Sequence, residues 1–357
     1  MSALVLDKEN RGADTALAER DNMSEYRQGN PYCVQIEFAE GCNLRCSFCG
    51  LNGIRGKENN YKMMTAETAE SVASQMKALG WNSRLEIAMH GEPTMNPDFL
   101  ELIAVFRWHL PKAYILLESN GGGIMGATST ETVQEMFGAG LSTLALDEYQ
   151  TIKLVPKIIE KIKQEQGYGF LETGDKLFDG SVTFYDYPSC GNVGNPHQRN
   201  TNKRLIWIKP IDVSSTGTHS TLSNHAGAGG PRNDRAAGKR CAKPFRELSV
   251  RWDGNVAICC NDWRGEYPVG NINGIGLDAI WHSDEMYAAR RKLYHGERDF
   301  GACDGCDNIS VRPGILPDHL GKEELPEPSE ADLVLIAETV KKGPLTTPVL
   351  RPWEIKA

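Results

Sequence analysis

Short apolar runs alternate with helix-patterned segments along most of the first 213 residues of this 357-residue chain. The runs predict β-strands because they are short, rich in β-formers and bounded by polar or Gly-containing turns. The segments between several of them repeat apolar residues at helical spacing. The predicted strands cover residues 33–38, 85–90, 114–120, 142–149, 181–187 and 204–212. Strands that alternate with helices pair in parallel through right-handed crossovers, so we expect an α/β fold, a partial (βα)6 TIM-like barrel.

Two later segments extend this pattern. Residues 245–260 predict a β-hairpin with its turn at Asp253-Gly254, and residues 276–296 predict one helix. An earlier helix is expected over 65–80, where Thr65 is suited to cap the first turn and Gly80 to end the last. The pattern therefore predicts a smaller hairpin-and-helix module after the barrel.

Composition shifts mark the expected boundaries. Residues 214–240 are rich in Gly, Ser and Thr and end in a basic run, which predicts a linker or mobile loop. The predicted regions are an N-terminal extension (1–31), the partial barrel (32–213), the Gly-rich and basic linker loop (214–240), the hairpin-and-helix module (241–311) and a Pro-rich C-terminal tail with one helix (312–357).

Composition and charge narrow the function classes. No apolar run approaches the ~20 residues of a membrane helix, and the N-terminus lacks the pattern of a secretory signal, so we expect a cytoplasmic protein without a membrane partner. The net charge of −8 does not favour nucleic acid, although the basic run after the Gly-rich stretch leaves a phosphorylated or nucleic-acid substrate open. Ten cysteines in a reducing compartment indicate metal binding or catalysis rather than disulfides.

Three of these cysteines lie in the stretch AEGCNLRCSFCGLNG, which directly follows the first predicted strand. In parallel barrels the C-terminal strand ends carry the chemistry, so this loop is expected at the mouth. A zinc site built from one loop would normally add a fourth Cys or His nearby, and the loop offers none. Three thiolates can instead hold three irons of a cubane cluster and leave the fourth iron open. A zinc knuckle or unligated thiols is the alternative.

The spacing Cys-x3-Cys-x2-Cys, with an aromatic residue before the third cysteine, resembles the motif of the radical S-adenosylmethionine (radical SAM) superfamily. Cys42, Cys46, Phe48 and Cys49 match it. The resemblance implies a 4Fe–4S cluster whose open iron binds the amine and carboxylate of S-adenosyl-L-methionine. It also implies cleavage of that cofactor to a 5′-deoxyadenosyl radical, which abstracts hydrogen from substrate, and an external one-electron reductant such as flavodoxin or ferredoxin.

The ends of the next two predicted strands extend the resemblance. The segment HGEP (90–93) is similar to the Gly-Gly-Glu-Pro turn that receives the methionyl ammonium in the superfamily, with His90 in place of the first glycine. The third strand ends where the family often contacts ribose. The resemblance thus implies that S-adenosylmethionine binds near Gly91, Glu92, Pro93, Ser119 and Asn120.

Two further residues are candidates for contact with substrate. Asp147 ends the fourth strand and is either a substrate contact or a structural hydrogen-bond partner. Cys190 lies in a loop past the fifth strand, where a thiol could return a hydrogen atom to a substrate radical; a structural cysteine is the alternative.

A second cysteine set follows the linker, at Cys241, Cys259, Cys303 and Cys306. The Cys, the hairpin with Gly254-x4-Cys259, the helix with Trp281 and the closing Cys-x2-Cys resemble the SPASM/twitch auxiliary-cluster module. No cysteine follows Cys306, which favours the twitch form with one auxiliary 4Fe–4S cluster. Four thiolates close the coordination of such a cluster and suit it to electron relay. A four-cysteine zinc site is the alternative.

The combined resemblance implies a radical SAM enzyme with two 4Fe–4S clusters. The first hypothesis is a two-electron oxidation, or dehydrogenation, of a small polar substrate, with the auxiliary cluster relaying an electron. The second is a redox-neutral isomerase or epimerase acting on a peptide, a sugar or a modified nucleobase in nucleic acid. The third is a metal-binding adaptor without enzymatic activity.

Overall fold

The computed structural model describes residues 30–31, 33–55, 61–81, 83–125, 129–149, 154–166, 176–177, 182–186, 204–211, 223–239, 241 and 243–308. Nearly all of the predicted N-terminal extension, the C-terminal tail and Cys190 lie outside these residues. Within the described ranges, no helix combines the length and apolar character needed to cross a membrane.

The strands are β1 (Cys33–Ile36), β2 (Ala39–Glu40), β3 (Lys62–Met63), β4 (Arg84–Ile87), β5 (Ile115–Ser119), β6 (Thr143–Tyr149), β7 (Lys176–Leu177), β8 (Val182–Asp186), β9 (Arg204–Ile211), β10 (Glu247–Val250), β11 (Asn255–Ala257) and β12 (Pro268–Asn271). The α-helices are α1 (Ala66–Ala78), α2 (Phe99–His109), α3 (Ser129–Gly138), α4 (Leu154–Gln166), α5 (Lys243–Arg246), α6 (Leu277–Trp281) and α7 (Asp284–Tyr294). All six predicted barrel strands are present.

One sheet contains ten of these strands in the order β12-β11-β10-β1-β4-β5-β6-β9-β8-β7. Pairing is parallel from β10 to β8 and antiparallel at both ends. The α/β fold is confirmed, with a partial barrel rather than a closed one. Within the barrel strands, the order departs from chain order where β9 lies between β6 and β8. It pairs along the full length of β6, from Thr143–Leu205 to Tyr149–Ile211.

The hairpin of the predicted auxiliary module is built into this same sheet. Its first strand, β10, pairs in parallel with β1, from Cys33–Glu247 to Ile36–Val250. On its other side β1 pairs with β4. Hydropathy could not show this contact, since it joins strands more than two hundred residues apart. The pairing places the second cysteine set next to the strand that leads into the first.

The two faces of the sheet differ in chemistry. On one face, Val34, Ile36, Leu85 and Ile87 are fully buried in the main apolar core, with residues of α1 and α2. Because side chains alternate along a strand, the intervening residues face the inside of the partial barrel. That inner face is polar near β1: Gln35 donates to Glu86 at 3.4 Å and accepts from Ser249 at 3.2 Å. The carboxylate of Glu86 also pairs with Arg84.

Helix ends follow their capping residues. The Thr65 hydroxyl accepts from the Thr68 amide at 3.3 Å, and Gly80 adopts a φ of +67°, which confirms both predicted ends of α1. The prediction of one helix over 276–296 is wrong. The helix is interrupted at Ser283. The Ser283 hydroxyl accepts from the Met286 backbone amide at 3.2 Å and caps the start of α7, which is a separate helix.

The predicted linker is a packed segment over residues 223–239. The Asn224 side chain donates to the carbonyl of Gly305 at 2.8 Å, and the Asn224 backbone amide donates to the Asp307 carboxylate at 2.9 Å. Arg232 from the basic run forms two hydrogen bonds with Glu266, at 2.8 and 2.6 Å. These bonds fasten the segment to the second cysteine set, so Arg232 serves structure here and not the phosphate contact that the basic run suggested.

A close backbone approach joins the first two parallel strands beyond their regular pairing. Gly41 and Gly91 form an isolated parallel bridge, and the Glu92 amide donates to the Gly41 carbonyl at 2.9 Å. A Cβ at position 91 would lie 2.1 Å from the Ala39 carbonyl oxygen and 2.5 Å from that of Gly41. No side chain fits there, so glycine is required by close approach.

We therefore expect Gly91→Ala to force the cysteine loop away from the β4 turn and to lower the free energy of unfolding by about 1–3 kcal/mol. Gly274→Ala is the matched control, because its Cβ would make only an ordinary contact of 3.7 Å with Asn271. Urea denaturation measures both. Equal midpoints for the two variants would contradict the close approach.

Candidate active site

The three-cysteine loop follows β2 and ends in a short 3-10 helix at Gly50–Gly53. The thiols of Cys42, Cys46 and Cys49 are partly buried and lie within electrostatic reach of one another. Burial raises the pKa of all three thiols, and that of Cys42 reaches about 12. Because a metal binds the thiolate, loading this loop with iron must release protons.

Arg55 holds the loop in shape. Its guanidinium donates to the Leu44 carbonyl at 2.8 Å and to the Asn52 side chain at 2.6 Å. Asn52 in turn donates to the Cys46 carbonyl at 2.7 Å. The positive charge of Arg55 also lowers the pKa of Cys49, against the larger effect of burial. The spacing of the thiols is thus supported by hydrogen bonds within the loop.

Glu92 connects the ends of β4 and β5. One carboxylate oxygen accepts from the Thr94 amide and hydroxyl and from the Ser119 hydroxyl, at 3.2, 2.6 and 2.7 Å, and the other accepts from the Asn120 amide at 2.7 Å. Burial raises the pKa of this carboxyl, and the four hydrogen bonds oppose that rise. Both oxygens are already engaged within the chain, which gives Glu92 a clear organising role.

Asn120 brings the end of β5 to the cysteine loop. Its side-chain amide donates to the Cys42 sulfur at 3.3 Å and to Asn43 at 3.0 Å. Pro93, also predicted at this site, is buried at the start of a short 3-10 helix at Pro93–Met95. The structure therefore brings the predicted cofactor-binding residues of three strand ends together around one thiol. Their contact with S-adenosylmethionine stays a prediction.

The end of β6 completes the mouth. The Phe48 ring packs against the Tyr149 ring, with centroids 5.3 Å apart. The Tyr149 hydroxyl donates to the Asp147 carboxylate at 3.4 Å, so both side chains share the inner face. Burial raises the pKa of Tyr149 well above its usual range, and Asp147 and the three loop thiols add to the rise.

Sequence analysis did not single out Tyr149. The available signal was its position: it is two residues after Asp147 on a strand, and residues two apart share a face. The alternation that placed Asp147 at the mouth therefore placed Tyr149 there too. The structure joins both to the Phe48 ring, which belongs to the cysteine motif.

The second cysteine set forms a buried group. The thiols of Cys241, Cys259, Cys303 and Cys306 are all buried, and their charges interact with one another. Burial raises the pKa of Cys259 well above its usual range, and neighbouring thiols, with Cys260 the largest, add to the rise. The Cys260 sulfur accepts from the Lys243 ammonium at 3.4 Å.

Both sets fit iron–sulfur clusters by their donor chemistry. Thiolates are the usual protein ligands of such clusters, and four of them complete a 4Fe–4S cluster. Across the described ranges, no three His, Cys, Asp or Glu side chains are arranged to hold a single metal ion.

Comparison with known proteins agrees with both assignments. A family model described as the radical SAM superfamily matches residues 36–147, and one described as the SPASM iron–sulfur cluster-binding domain matches residues 241–307. The crystal structure of BtrN in complex with AdoMet and 2-DOIA has a TM-score of 0.58 at 18% identity, covering 80% of this chain and 96% of that chain. This likeness supports the fold.

Two curated relatives have different activities. The S-adenosyl-L-methionine-dependent 2-deoxy-scyllo-inosamine dehydrogenase of Niallia circulans is 20% identical over 280 residues, which cover 78% of this chain and 94% of that enzyme. The GTP 3′,8-cyclase of Klebsiella pneumoniae subsp. pneumoniae is 26% identical over 255 residues, which cover 66% of this chain and 70% of that enzyme. The motifs, the two matched domains and the fold together show that this chain belongs to the radical SAM superfamily and is an enzyme with a SPASM-type iron–sulfur domain.

Proposed function

We propose that this enzyme is a dehydrogenase that removes two electrons from a small polar substrate, with one SAM-binding and one auxiliary 4Fe–4S cluster. The observation that carries the proposal is the group of four buried thiols at Cys241, Cys259, Cys303 and Cys306. Four thiolates leave no iron open for substrate, so this site is suited to accept an electron. An isomerase or epimerase returns the hydrogen to its product and needs no such acceptor.

Oxidation of an alcohol or amine carbon removes a hydrogen atom, an electron and a proton. Cys42, Cys46 and Cys49 would hold the first cluster. When bound, the clusters and S-adenosylmethionine supply the hydrogen-abstracting radical and the electron acceptor. The chain itself must supply the acceptor for the proton that leaves the substrate oxygen or nitrogen.

Asp147 is the best placed acceptor for that proton. It lies at the mouth, on the same face as Tyr149, whose ring packs on Phe48 of the cysteine motif. The Tyr149 hydroxyl donates to Asp147 and so orients its carboxylate. A carboxylate held in this way can take a proton as the substrate radical loses its electron.

The inner face of the sheet supports a small polar substrate. Below the mouth it carries the hydrogen-bonded set of Gln35, Glu86 and Ser249, which can exchange hydrogen bonds with hydroxyl or amino groups. Further along, Tyr114, Leu116 and Ala145 pack together. The similarity to an inosamine dehydrogenase agrees with amino sugars or cyclitols as the substrate class. The GTP 3′,8-cyclase relatives make a redox-neutral reaction on a nucleotide the second candidate.

Product mass and cofactor stoichiometry test the proposal. We expect the anaerobically reconstituted full-length enzyme, given dithionite, S-adenosylmethionine and a panel of aminocyclitols and amino sugars, to form one 5′-deoxyadenosine per product. The product should be lighter than the substrate by two hydrogens. Deuterium placed on the substrate carbon that is oxidised should appear in 5′-deoxyadenosine. A product of unchanged mass would establish the redox-neutral alternative. Absence of an iron–sulfur chromophore and of 5′-deoxyadenosine would leave only the metal-binding adaptor.

Asp147→Asn should lower the rate of product formation by about 10²–10⁴-fold, as expected for loss of a general base. Formation of 5′-deoxyadenosine should persist and become uncoupled from product, because Asp147 acts after hydrogen abstraction. Glu148→Gln is the matched control, since residue 148 faces the other side of β6. Liquid chromatography with mass spectrometry measures both yields. Coupled turnover in Asp147→Asn at the wild-type rate would exclude this role.

Glu92→Gln tests whether Glu92 organises the mouth. In this variant an NH2 group replaces one carboxylate oxygen, so it would face a hydrogen-bond donor instead of accepting from it. We therefore expect a loss of about 1–3 kcal/mol in unfolding free energy. Weaker binding of S-adenosylmethionine should accompany it, because the ends of β4 and β5 would separate. Glu131→Gln, on an exposed position of α3, is the control. Unchanged stability with weaker cofactor binding would instead identify Glu92 as a direct ligand.

A further inference from the structure

The indole ring of Trp263 lies between the two cysteine sets. Trp263 follows Cys259 by four residues, in a turn closed by the hydrogen bond from the Asp262 amide to the Cys259 carbonyl at 3.0 Å. Asp262 is fully buried, and its carboxylate accepts from the amides of Glu266 and Tyr267 at 2.7 and 2.9 Å. The position of the indole is therefore tied to a ligand of the second set.

The other side of the ring lies beside the first set. Trp263 packs in a small apolar cluster with Leu51, against the partly buried Cys42 and Cys49. A Cβ at position 50 would lie 2.7 Å from Trp263 Cδ2 and 2.8 Å from Cε2, so Gly50 lets the ring lie directly on the backbone beside Cys49. One side chain thus packs in the cluster that borders the first set and is connected through a tight turn to a ligand of the second.

Two histidines hold this ring in place. The centroid of His90 lies 4.5 Å from that of Trp263, and the centroid of His225 lies 4.9 Å from it. His90 is fully buried; its Nδ1 bonds Glu37 at 2.7 Å and its Nε2 bonds the Cys260 carbonyl at 2.9 Å. His90 stands where the family's Gly-Gly-Glu-Pro motif has its first glycine. Its imidazole therefore forms a second contact between the HGEP turn and the hairpin that carries Cys259.

We propose that Trp263 is the side chain through which an electron passes between the auxiliary site and the SAM-binding site, with His90 as the positioning residue that fixes its ring. Electron tunnelling through protein favours packed and bonded paths over gaps. Trp263 supplies packing beside the first set and a short bonded path through the chain turn to Cys259. The step moves one electron from the reduced auxiliary cluster to the oxidised SAM-binding cluster. No proton moves and no bond changes. This inference rests on the presence of both clusters, a part of the proposed function, and not on the identity of the substrate.

Electron redistribution without substrate tests the proposal. Reconstituted full-length enzyme is reduced by a short light pulse with a deazaflavin donor and frozen at increasing times, and the two clusters are followed by electron paramagnetic resonance. Four variants are compared with wild type: Trp263→Phe, Trp263→Leu, His90→Ala and, as a control, Trp108→Leu at an exposed position of α2. Iron content and the midpoint potential of each cluster are measured for every protein.

We expect Trp263→Leu to slow redistribution by at least an order of magnitude at unchanged midpoint potentials, while Trp263→Phe and Trp108→Leu stay close to wild type. Redistribution in Trp263→Leu at the wild-type rate would overturn the proposal. His90→Ala removes the ring contact that positions Trp263, so it should also slow redistribution. Loss of iron or a shifted potential in Trp263→Leu, together with redistribution at the wild-type rate in His90→Ala, would show that Trp263 is only a wall of the site. Because no substrate is added, these outcomes are independent of whether the enzyme is a dehydrogenase.

Discussion

The parallel pairing of β1 with a strand on each side is the contact on which the rest of the molecule depends. On one side, β4 brings the HGEP turn beside the cysteine loop, and the Gly41–Gly91 bridge extends that pairing to the loop itself. On the other side, β10 brings in the hairpin that carries Cys259. Because backbone hydrogen bonds set the register on both sides, the two cysteine sets are held at a defined separation.

The difference between three and four thiols gives the two sites different chemistry. The thiols of Cys42, Cys46 and Cys49 are partly exposed, and as the proposed ligands they would leave one iron of a 4Fe–4S cluster for the cofactor. The second set has four buried thiols, enough to fill every position of the auxiliary cluster that we propose there. Around the first site, side-chain polar groups are already engaged: Glu92 accepts four hydrogen bonds from the chain, and the Asn120 side-chain amide donates to the Cys42 sulfur. Such satisfied networks hold the mouth rigid before any ligand arrives.

Two polar residues with other expected roles form structural contacts between segments distant in the chain. His90 replaces a glycine of the family turn, and its imidazole reaches the Cys260 carbonyl and stacks on Trp263. Arg232 belongs to a basic run that suggested phosphate binding, and it pairs instead with Glu266. His90 is fully buried and therefore needs hydrogen-bond partners, whereas Arg232 is exposed and its ion pair fastens a surface segment.

Local pattern was enough to predict the six barrel strands and the ends of α1. These features depend on periodicity, capping residues and short-range spacing, all of which are properties of neighbouring residues. The insertion of β9 between β6 and β8, the pairing of β10 with β1 and the start of a new helix at Ser283 were not predicted. The first two are pairings between distant strands, whose partners only the folded sheet selects. The same applies to Tyr149, Trp263 and His90: the sequence by itself determined their residue types, and only tertiary packing decided that they meet at the two sites.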